Sequence, residues 1–190
     1  MYTFKSKEAD GQSLVHVINL MLGKDLIGAE IGVFRALTLC TLLQNCPNIK
    51  HIYAVDSYKP YTDFIKNPYN EIPAYSIGEK EIEFIKLTAL HNIKWSGFAH
   101  KVEILEQDSS FVATQTGNES LDFVFLDTCM TYEQEVQDLK DWYPKVKKGG
   151  LFSGHDWNCS AVQRAVNEFI ETNKLTQQLS VFDNVWMLIK

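Results

Sequence analysis

The chain has 190 residues, 45% of them apolar and 22% charged, with a formal net charge of -6, the size and balance of one globular domain around a single substantial core. The acidic balance argues against a broad electrostatic grip on phosphate backbones, so nucleic acid is not expected as a partner. No apolar stretch approaches the roughly 18 residues needed to cross a bilayer, and the first residues lack the apolar centre of a secretion signal, which predicts a cytoplasmic protein without membrane contact.

Leu14, Val17, Ile18, Met21 and Leu22 recur at helical spacing, so an amphipathic helix within 1–24, ended by Gly23, precedes the first strand. Residues 27–33 read as that strand, 36–46 as a helix and 49–56 as a second strand, with Pro47-Asn48 as punctuation between them. The segment 57–75 carries Pro60, Pro68 and Pro73 among Tyr58, Tyr61, Phe64, Tyr69 and Tyr75. It is too interrupted for a long helix and too aromatic for a free linker, which predicts an ordered flap. A helix over 77–92, a strand over 102–106 and a short helix after Asp108 follow.

Leu121-Asp122-Phe123-Val124-Phe125-Leu126-Asp127 is an apolar run ending in a carboxylate, the pattern of a buried parallel strand whose C-terminal end opens onto a site. Tyr132, Val136, Leu139, Tyr143 and Val146 mark a covering helix, and 150–154 a fifth strand that ends in His155-Asp156-Trp157. Asp127 and Asp156 are thereby brought to the same rim. Val162, Val166, Phe169 and Ile170 form a last helical stripe; 179–182 and 185–189 flank Asp183-Asn184 as a hairpin. Parallel strands cannot be joined by two residues, so the final strand must run against its neighbours. The four cysteines, Cys40, Cys46, Cys129 and Cys159, lack paired spacing for zinc or redox chemistry and read as reduced, mostly packed thiols.

Five parallel strands closed by a hairpin, with Gly28-Ala-Glu-Ile-Gly-Val-Phe-Arg35, Tyr53-Ala-Val-Asp56, Leu121 to Asp127, Tyr132-Glu133 and Gly149 to Trp157 in this order, resemble the class I S-adenosylmethionine-dependent methyltransferases. Within that class the chain is most similar to the small O-methyltransferases related to catechol O-methyltransferase. The resemblance covers essentially the whole chain. It implies a Rossmann-like, doubly wound α/β fold with a seven-stranded sheet and helices on both faces, in a single domain that methylates a small-molecule or sugar-like hydroxyl.

The resemblance also implies site residues. Gly32 would let the backbone approach the methionine tail of S-adenosylmethionine, Glu30 would accept from its cationic amino end, and Asp56 would accept both ribose hydroxyls. Asp108 stands at the position that bonds the adenine amino group, and Phe34, Arg35, Ser57, Ser109 and Asp127 complete the cofactor contacts. Capping of turns is the alternative for Glu30 and Asp56, and an N-cap for Asp108.

Methyl transfer to oxygen needs an oriented, acidified hydroxyl, which Mg2+ or another divalent cation can provide. Asp127, Asp156 and Asn158 are the candidate ligands, with Asp127, His155 and Asp156 as the catalytic group and His155 as a base. Alternatively Asp127 only contacts cofactor and His155-Asp156 caps a helix or forms a local pair. Thr128-Cys129-Met130 departs from relatives that carry Asp and His or a lysine base there. This departure supports a competing reading as a methyltransferase-fold binding module or inactive partner subunit. A nicotinamide dehydrogenase is disfavoured because no G-x-G-x-x-G follows the first strand. Tyr132, Trp142 and Trp157 read as core aromatics; Tyr58, Tyr61 and Phe64 as either a lid or an anchor. The N-terminal apolar helix and acidic exterior are compatible with a homodimer.

Overall fold

A computed structural model describes residues 10–20, 23–62, 76–128, 131–175 and 179–190. Expectations that fall on Met21, Leu22, Phe64, Tyr69, Tyr75, Cys129 and Met130 lie outside the described residues.

Helix α1 (Asp10–Leu20) leads to strand β1 (Leu26–Ile31), α2 (Leu37–Asn45) and β2 (Ile49–Val55). A short ribbon of β3 (Tyr61–Thr62) and β4 (Ser76–Ile77) precedes α3 (Glu79–Trp95) and β5 (Val102–Leu105). Then come α4 (Ser109–Gln115), β6 (Leu121–Leu126), α5 (Tyr132–Trp142), β7 (Val146–Gly154) and α6 (Ser160–Thr172). The closing hairpin is β8 (Ser180–Phe182) and β9 (Val185–Ile189).

The main sheet has seven strands in the order β5-β2-β1-β6-β7-β9-β8. The first five are parallel, and β9 runs antiparallel to both β7 and β8. The chain winds outward from β1 through β2 to β5, then returns to β6 on the other side of β1. That reversal opens a crevice beyond the carboxyl ends of β1 and β6, where doubly wound sheets bind ligands.

Alternation along the strands divides the core into two layers. Phe123, Phe125 and Leu151 pack with α1, α2 and α3 on one face, while Val124, Leu126 and Phe152 pack with α4, α5 and α6 on the other. Strands buried on both faces are apolar almost throughout, which explains why their sequence runs are continuous rather than alternating.

Two features differ from the sequence reading. Strand β7 begins at Val146, not at residue 150, because a register irregularity opposite Leu121 and Phe123, with Gly149 at φ 78, absorbs the Lys-Lys-Gly-Gly stretch. Lys190 secures it, its carbonyl accepting from Gly149 N–H (2.6 Å) and its own N–H donating to Gly150 (2.9 Å). The β3–β4 ribbon was not foreseen and joins the two ends of the 57–75 segment. Next to it Tyr58 is buried in the α1–α3 layer, its hydroxyl donating to the Phe34 carbonyl at 3.1 Å, so this aromatic anchors the segment. Among the described residues no helix is long and apolar enough to cross a membrane.

Candidate functional site

The residues just beyond the parallel strands continue the ladder across the sheet. Asp56 N–H donates to Leu105 O (3.2 Å), Gly32 N–H to Val55 O (2.8 Å), Asp127 N–H to Ile31 O (2.7 Å) and His155 N–H to Leu126 O (2.9 Å). Asp56, Gly32, Asp127 and His155 therefore stand in one row on the C-terminal rim, each fixed by its neighbour's strand. Gly32 has φ 86, and a Cβ there would lie 2.0 Å from the Asp127 carbonyl oxygen. This glycine therefore also makes room for the chain's own backbone. Gly154 is similarly required, since its Cβ would meet the Trp186 indole at 2.6 Å.

A cavity of about 450 Å3 opens at this rim. Of the residues singled out from sequence, Gly32, Phe34, Asp56, Ser57, Asp108, Ser109 and Asp127 line it. Glu30 and Arg35 do not; Arg35 is exposed, with its guanidinium carbon 5.0 Å from the centre of the Phe34 ring. Thr128, named from sequence only as a departure from relatives, and Gln134, which sequence reasoning passed over, line the cavity as well.

Glu30 is buried, 2% exposed, and its Oε2 has no hydrogen-bond partner among the described residues. Burial raises its pKa well above the ordinary carboxylate value, and the charges of Asp127 and Asp56 raise it further. The ionised form of a carboxyl so buried is costly without a cation beside it.

Asp56 has the opposite character. Its Oδ2 accepts from Val33 N–H (3.0 Å) and Phe34 N–H (2.8 Å), and its Oδ1 from Tyr58 N–H (2.9 Å). It ties the loop after β1 to the loop after β2, as the capping alternative anticipated, while still lining the cavity. Carboxylate oxygens accept more than one bond each, so capacity for a ligand hydroxyl remains. Asp108 also does both: it caps α4 by accepting from Ser110 N–H (3.1 Å) and Phe111 N–H (3.4 Å).

Ser109 faces the cavity but its hydroxyl is turned inward. It donates to Asp138 Oδ1 (2.6 Å) and accepts from Trp142 Nε1 (2.8 Å). Asp138, fully buried, also accepts from Thr128 Oγ1 (2.8 Å) and Gln134 Nε2 (3.0 Å). One carboxylate thus joins α4, the end of β6 and α5 behind three cavity-lining residues. Burial raises the Asp138 pKa, and its three donors work against that rise.

At the other end of the rim, Asp127, His155 and Asp156 each offer a donor atom, all within 4.8 Å of one another. His155 Nδ1 lies 3.1 Å from Asp156 Oδ1 and 3.4 Å from Asp127 Oδ1. Burial lowers the imidazole pKa, but the hydrogen bonds and charges of Asp127 and Asp156 outweigh it and push the value up to about 11. On the far side, Asn184 Oδ1 accepts from Asn158 N–H (2.7 Å), which turns its Nδ2 toward His155 Nε2 (3.3 Å) and Asp156 Oδ1 (3.4 Å). The two influences oppose each other: the carboxylates favour a doubly protonated ring, and the Asn184 donor favours a bare Nε2. His155, the expected base, thus has its Nδ1 between two carboxylates and its Nε2 toward Asn184.

Asp156 adopts φ 56, a left-handed backbone uncommon outside glycine. Asn158, a candidate ligand, is exposed on this turn and contributes its backbone to Asn184. Tyr132 packs half-buried against the core and is also a cross-link, donating its hydroxyl to Glu168 under the guanidinium of Arg164, 3.6 Å from the ring centre. Trp142 is in the core and Trp157 is half-buried against it.

Sequence reasoning also missed Glu135. It is 5% exposed, its Oε1 lacks a partner among the described residues, and burial followed by the charges of Asp138, Asp156 and Asp127 pushes its pKa up to about 8. A signal existed: Glu135 and Asp138 fall in phase with Leu139 and Trp142 on the buried face of α5. The thiols of Cys40 and Cys46 are pushed up to about 12 and about 11, chiefly by burial, so neither is a thiolate nucleophile at neutral pH.

Comparison with known proteins gives the same picture. A protein from Corynebacterium glutamicum has a similar structure, with a TM-score of 0.67 at 15% identity over 96% of this chain and 81% of that one. The O-methyltransferase NovP follows at TM-score 0.64 and 16% identity, covering 95% of this chain and 78% of that one. A cofactor-bound protein from MTB has a TM-score of 0.65 at 12% identity, covering all (100%) of this chain and 83% of that one. At such identities the likeness establishes the fold. No curated protein matches the sequence. The family described as a methyltransferase domain matches residues 29–157, which contain the whole rim from Glu30 to Asp156, and the chain therefore belongs to this family of S-adenosylmethionine-dependent methyltransferases.

Proposed function

We propose that the protein transfers the methyl group of S-adenosylmethionine to an oxygen of a small-molecule or sugar-like acceptor. The observation that carries the reading is the single row of strand-end residues with a buried Glu30 behind it whose Oε2 has no partner among the described residues. A cofactor bearing an ammonium and a sulfonium fits a cavity whose ionisable wall is dominated by acids, and its ammonium would be the cation that Glu30, buried behind that wall, lacks. Asp56 and Asp108 have acceptor capacity for ribose and adenine, and the inward-turned Ser109 leaves only its backbone to the cofactor. When bound, the cofactor supplies an electrophilic methyl group.

The choice of oxygen rests on the rim beyond the cavity. Asp127 and Asp156 are hard oxygen donors beside one imidazole nitrogen, a set that suits a divalent cation, with His155 Nδ1 rather than Asn158 in third place once its proton leaves. Such an ion would supply acidification and orientation of an acceptor hydroxyl. Without it, the shared Nδ1 proton holds the two carboxylates together. The acceptor is a small molecule rather than nucleic acid, in keeping with the acidic surface.

The test is turnover. Release of S-adenosylhomocysteine should be measured over a panel of catechol, phenol and sugar hydroxyl acceptors, with Mg2+, with Mn2+ and with chelator. The reading expects acceptor-dependent release that chelator suppresses. Equal rates with metal and chelator would remove the cation, and binding of cofactor without turnover on any acceptor would favour the binding-module alternative.

A further inference from the structure

Helix α3 is apolar on two sides. Ile82, Ile85, Ala89 and Ile93 are buried against the fold, as an edge helix requires. The opposite side is also apolar: Phe84 is 66% exposed, Leu87 54% and Trp95 74%, with His91 completing the stripe, its ring tilted 41° to that of Trp95 at a centroid distance of 5.8 Å. The steps from 84 to 87, 91 and 95 are three, four and four, so these side chains form one continuous ridge down a helix of 17 residues. Single exposed apolar residues need no explanation, but a contiguous ridge containing Phe and Trp marks a contact surface.

The pattern of the ridge identifies its partner. Its centre falls between Leu87 and His91, with one large aromatic at each end. One flank carries Glu83 near the N-terminal end and Lys94 near the C-terminal end, both exposed. In a two-fold pairing of antiparallel helices, each residue meets the one equally far from the centre on the other copy, and a flank meets the same flank. With the axis near residue 89, Leu87 faces His91, and Phe84 and Glu83 come within one residue step of facing Trp95 and Lys94 of the other copy, twice over. Antiparallel helices also set opposite dipole ends side by side. A parallel pairing would instead set this flank against the opposite flank of the other copy and leave Glu83 and Lys94 without each other.

We infer that the outer face of α3 is an isologous docking surface for a second copy of this chain, with the two α3 helices antiparallel. The cavity wall takes only Ile82 from this helix, so the pairing leaves the site open. The inference is independent of the reaction assigned to that site.

Sedimentation velocity at tens of micromolar tests it. The wild type should sediment at twice the chain mass of 21.8 kDa, and Leu87→Glu as a monomer with an unchanged melting temperature and unchanged affinity for S-adenosylhomocysteine. Glu83→Lys or Lys94→Glu alone should weaken the dimer about tenfold or more through like-charge contacts, and the two together should restore it. A monomeric wild type, a dimer indifferent to Leu87→Glu, or a double swap no tighter than the singles would each overturn the inference.

Discussion

The backbone of Gly32, at the end of β1, and that of Asp127, at the end of β6, approach so closely that a Cβ on Gly32 would stand 2.0 Å from the Asp127 carbonyl oxygen. The two strands on either side of the topological reversal are thus pressed together just where the cofactor cavity begins. Gly32→Ala has to splay them and to hold alanine at φ 86. A cost of roughly 2–5 kcal/mol is expected from overpacking plus backbone strain, together with loss of cofactor binding. Denaturant unfolding and titration with S-adenosylhomocysteine check it; an alanine variant of wild-type stability would mean that the strand ends are not in contact in solution.

Glu30 separates two effects that usually travel together. Its folded pKa is raised, so its stability contribution is complete below the unfolded value and is lost as pH rises through the folded one. Glu30→Gln removes that loss, and the cofactor-free protein should melt higher than wild type at pH 7. The same change removes the carboxylate proposed to meet the cofactor ammonium, and affinity should fall about 10- to 100-fold, the worth of a charge-assisted hydrogen bond. A variant that melts higher yet binds as tightly would place the ammonium elsewhere.

Asp138 holds Ser109, Thr128 and Gln134 from behind the cavity. Asp138→Ala leaves three donors without their acceptor, and a loss of about 3 kcal/mol is expected. Asp138→Asn keeps the size and one acceptor oxygen, and should recover part of that stability. Thermal melts of the two variants decide the matter: equal stability in both would show that the carboxylate's hydrogen bonds contribute little.

The fold was legible because the strands announce themselves. Apolar runs ending in Asp56 and Asp127 marked both the parallel sheet and its ligand-binding rim, and the Asp183-Asn184 turn implied the antiparallel last strand. Legibility ended where contacts bridge long stretches of chain. Nothing local tells that Ser109 will be taken by Asp138, or that Asn184 of the hairpin will face His155 and Asp156. Gly149-Gly150 looked like the start of a strand because a bulge held from across the sheet by Lys190 has no signature in its own residues. Arg35 was assigned to cofactor from its place in a motif, but it is exposed outside the cavity lining.

Glu135 gives the pH dependence its clearest handle. Its carboxyl sits at about 8 against the ordinary value of 4.5, so the stability tied to its protonated form is complete below 4.5 and is lost as pH rises from there through about 8. Glu135→Gln cannot ionise. Its melting temperature relative to wild type should rise across that window, by the equivalent of up to about 4 kcal/mol at pH 8. A difference between the two proteins that stays flat from pH 4.5 to 8 would show that Glu135 is not buried as described.

Calorimetric titration of the folded protein with S-adenosylhomocysteine bears most directly on the site. One saturable binding event per chain, abolished by Asp127→Ala and weakened by Glu30→Gln, is the predicted result. Absence of saturable heat with wild-type protein that is folded by circular dichroism would contradict the assignment of the strand-end row as a cofactor site.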